Sequence, residues 1–382
     1  MKPLYISIII LITFVLFPSW PTCLAQEDEG LVLTFKKHKG PVYAIAISPD
    51  GKTIASSGED LLIHLWDKNS GEISATLEGY RNPVKYLTFS NDGRYLLGAG
   101  GPEIRMWDLS DGTWKIYRKH VTHVYNHDFN KDATQFLSTS LNNNFYLWDR
   151  EEGVVIHTFE AHSKTTLAAA FSPDNQWIAS GSLDQTVIIW HAGNREPVHT
   201  MSAHGGNIFS VDFSPDSKLL ASCSMDENIK TWYVDSGRIH KLFTGHTYAV
   251  VSVRFSPDAR YLISASYDGT ARLWEVATGQ CIYTFIAHED ALYEADFLPD
   301  GSGIVTCSND GTVMIFEMSA RFMAEHYYYN ELEKEMSASL LFEPRRKSES
   351  REAYQTRLSA AATFRHALYI KYQQKHLQDM EK

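Results

Sequence analysis

The sequence predicts an all-β protein, a closed ring of seven four-stranded sheets known as a β-propeller. One recurring residue, usually histidine, precedes a turn and a strand, at His38, Tyr80, His120, His162, His204, His246 and His288. A second recurring residue, always aromatic, ends a later strand, at Trp66, Trp107, Trp148, Trp190, Trp232, Trp274 and Phe316. Both series advance by 40 to 42 residues, so the chain repeats one unit seven times.

Each unit contains four short segments that alternate apolar and polar residues. In the sixth unit they are "VVSVRF", "YLISAS", "ARLWEV" and "CIYTFI", separated by the turn sequences "SPDAR", "YDGT" and "ATGQ". This pattern is typical of antiparallel strands joined by tight turns. Seven such sheets arranged radially protect the strand edges that would otherwise promote aggregation.

The N-terminal segment differs from the repeats. Lys2 is followed by an uncharged, mostly apolar run from Leu4 to Phe17, and small residues precede a cleavage site after Ala25. This arrangement predicts a signal peptide over residues 1–25, and an uncleaved membrane anchor is the alternative. No Asn-x-Ser/Thr sequon occurs, which favours a bacterial periplasm over eukaryotic secretion. We therefore expect an exported protein, periplasmic or extracellular, with no stable membrane span after cleavage.

The repeats resemble the WD40 family of β-propellers. The resemblance rests on Gly245-His246, on the "SPD" of residues 256–258 and on Leu273-Trp274, and it extends from Leu31 to about Met318. We assign residues 26–318 to the propeller. The resemblance implies a structural hydrogen-bonded tetrad in each complete blade. The matching sets are His38, Ser56, Asp60, Trp66; His162, Ser180, Asp184, Trp190; His204, Ser222, Asp226, Trp232; and His246, Ser264, Asp268, Trp274.

The ring is expected to close with strands from both ends of the propeller. No fourth strand follows Phe316, whereas "GLVLTFKKH" at 30–38 matches the fourth strands of other units. Leu31 to Phe35 should therefore pair with the last blade.

The second and third units depart from the pattern. Tyr80, Leu97 and Gly101 replace the expected His, Ser and Asp in the second unit, and Asn142 replaces Asp in the third. Either apolar packing replaces these tetrads, or the two adjacent blades form a distinct partner surface.

The sequence predicts no catalytic residues, no metal site and no cofactor. A Ser-His-Asp trio that recurs in four units is a poor catalytic triad. His120, His123 and His127 are close in sequence but are spread along a strand, and "GAGGP" at 98–102 precedes a strand rather than a helix. The net charge of −11 argues against a nucleic-acid partner.

A ring of aromatic residues is the candidate binding site. Five residues after each recurring His position come Tyr43, Lys85, Tyr125, Leu167, Phe209, Val251 and Tyr293. The resemblance implies that this place lies near the mouth of the central channel, where peptides bind. We predict a partner-binding site at Tyr43, Lys85, Tyr125, Phe209, Tyr248, Tyr267 and Tyr293. The alternative is that these side chains only fill the inner wall.

Residues 319–382 form a separate C-terminal extension, with 11 basic and 9 acidic residues, which leaves 24 basic and 37 acidic residues in the rest of the chain. We predict a shorter helix from Ser319 to Leu341 and a long one from Glu349 to Glu381. The long helix either caps the propeller or binds a partner, including a second copy of this chain.

These observations together predict a non-catalytic scaffold of the cell envelope or exterior that binds a peptide or protein partner at the channel mouth. The alternative is an enzyme or small-molecule binder that uses the channel, an analogy that rests on fold alone.

Overall fold

The computed structural model describes residues 24–26, 30–202, 204–319, 322–323, 327–342 and 349–380. The described strands form seven sheets arranged in a ring, which confirms the predicted seven-bladed propeller. We number the blades 1 to 7 by the order of their innermost strands. Within each blade the chain runs outward from the channel through antiparallel neighbours.

The strands have similar lengths in every blade. The innermost strands are Val42–Ile47, Val84–Phe89, Val124–Phe129, Thr166–Phe171, Ile208–Phe213, Val250–Phe255 and Leu292–Phe297. The second strands are Thr53–Gly58, Tyr95–Gly100, Gln135–Ser140, Trp177–Ser182, Leu219–Ser224, Tyr261–Ser266 and Gly303–Ser308. The third strands are Ile63–Asp67, Glu103–Asp108, Phe145–Asp149, Thr186–His191, Ile229–Tyr233, Ala271–Glu275 and Val313–Glu317. The fourth strands of blades 1 to 6 are Ile73–Leu77, Trp114–Tyr117, Val155–Phe159, Pro197–Ser202, Ile239–Phe243 and Cys281–Phe285.

The N-terminal strand Leu31–Phe35 supplies the fourth strand of blade 7, as predicted. It pairs antiparallel with Val313–Glu317. The innermost strand of blade 7 also contacts that of blade 1, so the ring is closed. Phe35 is buried and its ring stacks on Trp66 of blade 1, with centroids 4.4 Å apart. The closing strand therefore joins blade 7 to blade 1 through its side chains.

A further short strand, Leu24–Gln26, runs parallel to the fourth strand of blade 6. The predicted signal peptide, residues 1–25, lies outside the described residues except for Leu24 and Ala25. This strand spans the predicted cleavage site, so cleavage after Ala25 would leave only Gln26 of it. The signal peptide and the propeller boundaries at 26 and 318 stay predictions.

The hydrophobic core consists of apolar layers between neighbouring blades. Between blades 5 and 6, for example, Cys223 and Ile229 pack against Leu262 and Trp274. Alternation along each strand places one set of side chains against the preceding blade and the other against the following blade, so both faces are buried. Cys223 and Cys307 are buried free thiols in these layers.

The turns between first and second strands share one hydrogen-bond pattern in blades 1, 2, 4, 5 and 6. In blade 6 the Ser256 hydroxyl donates to Asp258 at 2.5 Å and accepts from the backbone N–H of Tyr261 at 2.9 Å. Asp258 also accepts from the backbone of Arg260 at 3.0 Å. The next position in the turn has a positive φ, at Ala259 here and at Gly51 in blade 1. These bonds account for the recurring Ser-Pro-Asp sequence.

The C-terminal extension is helical, as predicted, with helix α1 at Tyr329–Ser337, a 3₁₀ turn at Leu340–Phe342 and helix α2 at Arg351–Met380. Helix α1 is shorter than the predicted segment from Ser319 to Leu341. Helices α1 and α2 pack through Tyr328, Leu332 and Tyr372. The extension meets blade 6 where Tyr327 hydroxyl donates to Glu275.

Candidate functional site

Every innermost strand presents its second residue to one end of the channel. These seven residues, together with Tyr267, line a single cavity of about 180 Å³ at the mouth, which we call the cup. The seven are Tyr43, Lys85, Tyr125, Leu167, Phe209, Val251 and Tyr293. Six of the seven predicted site residues therefore lie together. The seventh, Tyr248, lies beside Tyr267 and outside the lining of the cup.

Four tyrosines form a continuous series across blades 1, 7 and 6, which we call the tyrosine arc. The ring centroids of Tyr43 and Tyr293 are 5.1 Å apart, and those of Tyr293 and Tyr267 are 5.8 Å apart. Tyr248 continues the series at 6.4 Å from Tyr267. Tyr248 is 56% exposed and Tyr267 is 40% exposed. The arc therefore presents aromatic surface to solvent next to the cup.

Polar neighbours orient the inner rings of the arc. The Tyr43 hydroxyl donates to Glu59 at 2.7 Å, and the Tyr293 hydroxyl donates to Asn309 at 3.0 Å. Burial and the Glu59 carboxylate raise the pKa of Tyr43 above its ordinary value. The Lys85 ammonium lies 5.1 Å from the centre of the Tyr43 ring. These contacts restrain the Tyr43 and Tyr293 side chains at the cup.

A charged cluster forms the floor of the cup. The Arg254 guanidinium donates to Glu294 at 3.1 Å, to Ser210 at 3.3 Å and to the Tyr86 hydroxyl. Glu294 also accepts from the backbone N–H of Ile45 at 3.1 Å. Arg254, Tyr86 and Glu294 line both the cup and a larger cavity of about 610 Å³ on the other side, which we call the lower cavity. The cluster therefore separates the two cavities and links five blades.

Buried carboxylates surround Arg254 in the lower cavity. Asp128 accepts from the backbone N–H of Phe171, and Asp212 accepts from that of Phe255, each at 2.7 Å, so each carboxylate joins its blade to the next. Burial raises the pKa of Asp128 to about 7 and that of Asp212 to about 6. Burial also raises the pKa of Glu294 to about 7, against the opposing effect of Arg254.

The four complete tetrads form the predicted hydrogen-bond chains. In blade 6, His246 Nδ1 lies 2.8 Å from Asp268, and Nε2 lies 2.7 Å from Ser264 Oγ. Trp274 Nε1 donates to the same hydroxyl at 2.9 Å. Ser264 is fully buried. A serine whose hydroxyl is enclosed and already bonded to two partners has no access to a substrate, so the tetrads are structural.

Blades 3 and 7 keep shortened versions of the tetrad. In blade 3, His120 Nδ1 lies 2.7 Å from Ser140 Oγ, which replaces the carboxylate, and burial lowers the pKa of His120 to about 4. In blade 7, His288 keeps its bonds to Asp310 and Thr306, while Phe316 stands in the tryptophan position.

Blade 2 replaces the tetrad with an arginine stacked between aromatic rings. The Arg105 guanidinium lies 4.6 Å from the ring centres of both Tyr80 and Trp114 and pairs with Glu103 at 2.5 Å. Gly98 and Gly100 make room for Tyr80, because a Cβ at either position would lie within 3 Å of that side chain. The glycine-rich sequence at 98–102 therefore makes room for the Tyr80 side chain. The contacts that replace the tetrad in blade 2 involve a cation and aromatic rings and are not purely apolar.

The three histidines near residue 120 do not assemble. His120 belongs to the blade 3 network, His127 Nε2 donates to the backbone carbonyl of Tyr86, and His123 is exposed. Across the described parts of the chain, one group has metal-ligand spacing, His38, Asp60 and His64. Both ring nitrogens of His38 are occupied by tetrad bonds, to Asp60 and Ser56, so this group is explained without a metal.

None of the helices in the described ranges has the length and apolar character needed to cross a membrane.

The floor of the cup was missed by the sequence prediction. Glu294 occupies an inner-strand position where the other blades carry uncharged residues such as Ala44. Arg254 is the one basic residue at a position that is Asp128, Asp212 or Asp296 in three other blades. Charged residues within "VVSVRF" and "LYEADF" were the available signal, because a charge in a buried strand needs a partner.

Six segments of the chain match the family described as WD domain, G-beta repeat. They are residues 29–67, 71–108, 153–191, 195–233, 237–275 and 279–317. The interval 109–152 between them contains the first three strands of blade 3 and the fourth strand of blade 2. The match therefore covers more than half of the chain and most of the propeller.

Several curated proteins are similar to part of the chain. Apoptotic protease-activating factor 1 of rat is 34% identical over 145 residues, which cover 37% of this chain and 11% of that protein. Nuclear distribution protein nudF of Aspergillus niger is 28% identical over 156 residues, 38% of this chain and 34% of that protein. Nuclear distribution protein PAC1 of Arthroderma benhamiae is 24% identical over 179 residues, 42% of this chain and 36% of that protein. The aligned region thus covers between about a tenth and about a third of the length of each of these relatives.

Proposed function

Because the chain belongs to the WD40-repeat family, we propose that it is a non-catalytic scaffold that binds a peptide or protein segment at the mouth of its channel. WD40 propellers in general bind protein partners. The observation that supports the proposal for this chain is the cup, which places four tyrosines and Phe209 around one opening.

The chemistry of the opening suits a protein partner. Aromatic residues dominate the binding energy of many protein interfaces, since they bury large area at small cost in conformational entropy. Tyr248 and Tyr267 remain exposed beside the cup, where a bound segment would cover them. The aromatic residues therefore extend beyond the inner wall, which favours a binding role over simple filling of the channel.

Binding or catalysis in the lower cavity is the second candidate function. Its volume of about 610 Å³ falls within the roughly 300–1,000 Å³ of typical small-molecule sites. Carboxylates with a pKa near neutrality, such as Asp128, are also common where proton transfer occurs. The backbone hydrogen bonds of Asp128 and Asp212 between blades offer a structural reason for the same residues. Native mass spectrometry of the purified chain distinguishes the candidates, because a retained small molecule would favour the second.

We also propose that the chain is exported to the periplasm or the cell exterior. The support is the apolar run from Leu4 to Phe17 and the small residues before the Ala25 cleavage site. The bacterial source favoured by the missing sequon gains no support from the relatives above, which are rat and fungal proteins. Mass spectrometry of the protein from its own cells should give an N-terminus near Gln26. An N-terminus at Met1 in a detergent-extracted protein would replace cleavage with an anchor.

Helix α2 is a second contact site in this proposal. Its side chains at Ala361, Leu368 and Tyr372 are buried, whereas Leu358 and Ile370 are exposed apolar residues on the same helix. Self-association through this surface predicts a dimer in light scattering. A monomer at all accessible concentrations would remove this part of the proposal.

Binding at the mouth is tested by one substitution in blade 5 and one in blade 7, with a control substitution in blade 5. Phe209→Ala and Tyr293→Ala, made separately in the full chain, should abolish recovery of a stoichiometric protein companion from the native cells. Leu242→Ala, at an exposed position in the fourth strand of blade 5, should leave recovery unchanged. Unchanged recovery with both mouth variants would refute the proposal.

A further inference from the structure

Blade 2 has a cavity of its own at the end of the propeller that carries the cup. Its volume is about 400 Å³, and we call it the blade 2 cavity. One wall is the loop of residues 79–82, which leads into the innermost strand at Val84. The cavity is therefore formed by the blade in which the tetrad is replaced.

Positive charge exceeds negative charge in the lining of this cavity. The lining contains the guanidinium groups of Arg81, Arg105 and Arg118 and one carboxylate, that of Glu103. Oε1 of Glu103 accepts from Arg105 at 3.1 Å and 2.5 Å, and Arg105 also donates to two backbone carbonyls. Arg118 is 3.7 Å from the other oxygen of Glu103, and Arg81 has no ion pair or side-chain hydrogen bond within the described residues. The excess of two charges therefore resides on Arg81 and Arg118.

The missing aspartate of blade 2 also leaves hydrogen-bond donors without an acceptor. In blades 1, 4, 5, 6 and 7 the tetrad carboxylate accepts a backbone N–H, as Asp268 does from Thr247 at 3.0 Å. Gly101 takes the aspartate position in blade 2, and the equivalent N–H, that of Arg81, has no acceptor in the described ranges. The Asn82 amide lies beside Gly101 and likewise has no described partner. An acceptor supplied from outside would complete this site.

The positive charge is confined to one side of this end of the propeller. The neighbouring loop of blade 3, residues 118–123, adds the exposed Lys119 and contains no Asp or Glu. The equivalent loop of blade 7 contains Glu289 and Asp290 and no Lys or Arg. A negatively charged group is therefore attracted at blades 2 and 3 and repelled at blade 7.

We propose that the blade 2 cavity receives an aspartate or glutamate side chain of the partner segment bound at the mouth, with Arg81 and Arg118 donating to its carboxylate. This inference rests on the proposed function, since it specifies a second contact of the same segment. Guanidinium–carboxylate pairs form charge-assisted and often bidentate hydrogen bonds. A basic side chain would instead be repelled by the two arginines.

One segment can reach both places. Asn82 in the cavity and Lys85 in the cup are three residues apart, about 10 Å along an extended chain. The propeller otherwise carries more acidic than basic residues, 37 against 24 up to residue 318. We therefore expect the segment to carry one acidic residue at a fixed position rather than an acidic run.

Selection of random peptides tests the inference without knowledge of the natural partner. Phage-displayed peptides are selected on the immobilised full chain, and the enriched sequences are synthesised with both ends blocked to remove terminal charges. We expect these peptides to share an aspartate or glutamate at one position. Replacing it with asparagine or glutamine should lower affinity roughly tenfold.

Substitutions in the cavity show whether the acidic side chain reaches the two arginines. Arg81→Ala and Arg118→Ala should each fold normally and lower the affinity of an acidic peptide roughly tenfold. Lys52→Ala also removes one positive charge, from an exposed side chain in a turn at the other end of blade 1, and should leave affinity unchanged. Against the amide form of the peptide, Arg81→Ala should have little further effect, because the contact is already lost.

The outcomes separate this inference from the proposed function. Peptides that depend on Phe209 or Tyr293 but bind the Arg81→Ala and Arg118→Ala variants normally would overturn the acidic contact and leave binding at the mouth intact. An equal loss with Lys52→Ala would also overturn it, since only overall charge would matter. Peptides that depend on the arginines but on neither aromatic residue would support the acidic site and refute binding at the mouth. If no selected peptide depends on either set, both proposals fail.

Discussion

At the residue scale, one buried hydroxyl in each complete blade joins three strands or loops. Ser264 donates to His246 Nε2 and accepts from Trp274 Nε1, while Nδ1–H of the histidine donates to Asp268. Burial raises the pKa of Asp268, but the bonds from His246 and Thr270 offset this and hold it below its ordinary value. The tetrad therefore pairs a carboxylate with a neutral imidazole, and every polar atom in the chain of bonds has a partner.

Loss of the serine hydroxyl should destabilise the propeller more than loss of the tryptophan N–H. Ser264→Ala leaves two buried ring nitrogens unpaired, so we expect the free energy of unfolding to fall by about 3 kcal/mol. Trp274→Phe should cost less, because blade 7 already combines Phe316 with an intact His288–Thr306 bond. Urea denaturation measures both. A loss for Ser264→Ala no larger than that for the surface variant Ser302→Ala would contradict the account.

The channel carboxylates should make stability depend on pH near neutrality. Burial raises the folded-state pKa of Asp128 to about 7, so the folded protein retains a proton that the unfolded chain loses between about pH 4 and 7. Stability contributed by this group is present at low pH and is lost as pH rises through 7.

Asp128→Asn tests this dependence. An amide oxygen can accept the Phe171 N–H, as Asn126 does from Ala169, without burying a charge. We expect the variant to gain stability relative to the natural chain at pH 8 and to gain less at pH 5. Thermal unfolding across this range measures the difference. A constant difference at all pH values would show that Asp128 does not titrate in this window.

At the element scale, the contacts inside some blades could be predicted from the sequence and those inside blade 2 could not. The tetrads were predictable because the repeats resemble the WD40 family, and the closing strand was predictable because residues 30–38 match the fourth strands of other units. Blade 2 was not, since the role of Arg105 depends on rings at Tyr80 and Trp114, contributed by different elements. The sequence showed that His, Ser and Asp were missing there and could not show what replaced them.

The closing strand contains one buried and one exposed apolar residue, Phe35 and Val32. Phe35→Ala removes a buried ring that stacks on Trp66 and should lower the free energy of unfolding by about 3–5 kcal/mol. Val32→Ala, at a residue that is 64% exposed, should change it by less than about 0.5 kcal/mol. Chemical denaturation compares the two variants. Equal effects would mean that the strand does not hold blades 7 and 1 together.

At the scale of the whole molecule, the rim of the channel was predictable and its floor was not. Tyr43, Tyr125, Phe209 and Tyr293 share one repeat position, so a fixed spacing identified them. The floor depends on a bond from Arg254 to Tyr86, which are 168 residues apart and belong to blades on opposite sides of the ring. Spacing within a repeat carries no information about contacts across the channel, and only ring closure brings these two side chains together.

The propeller as a whole carries an excess of negative charge. The chain up to residue 318 contains 24 basic and 37 acidic residues, whereas the C-terminal extension is close to balanced. An excess of negative charge on the propeller attracts basic partners and increases their rate of association at low salt.

Site-specific photocrosslinking shows whether a protein partner binds at the mouth of the channel. A photoreactive phenylalanine analogue is placed at Tyr267, in the tyrosine arc, or at Tyr233, an equally exposed tyrosine at the end of the third strand of blade 5. In the native cells, we expect one dominant crosslinked protein from position 267. We expect that protein to be missing from the crosslinks formed at position 233. The same partner crosslinked only from position 233 would place binding away from the mouth and contradict the account.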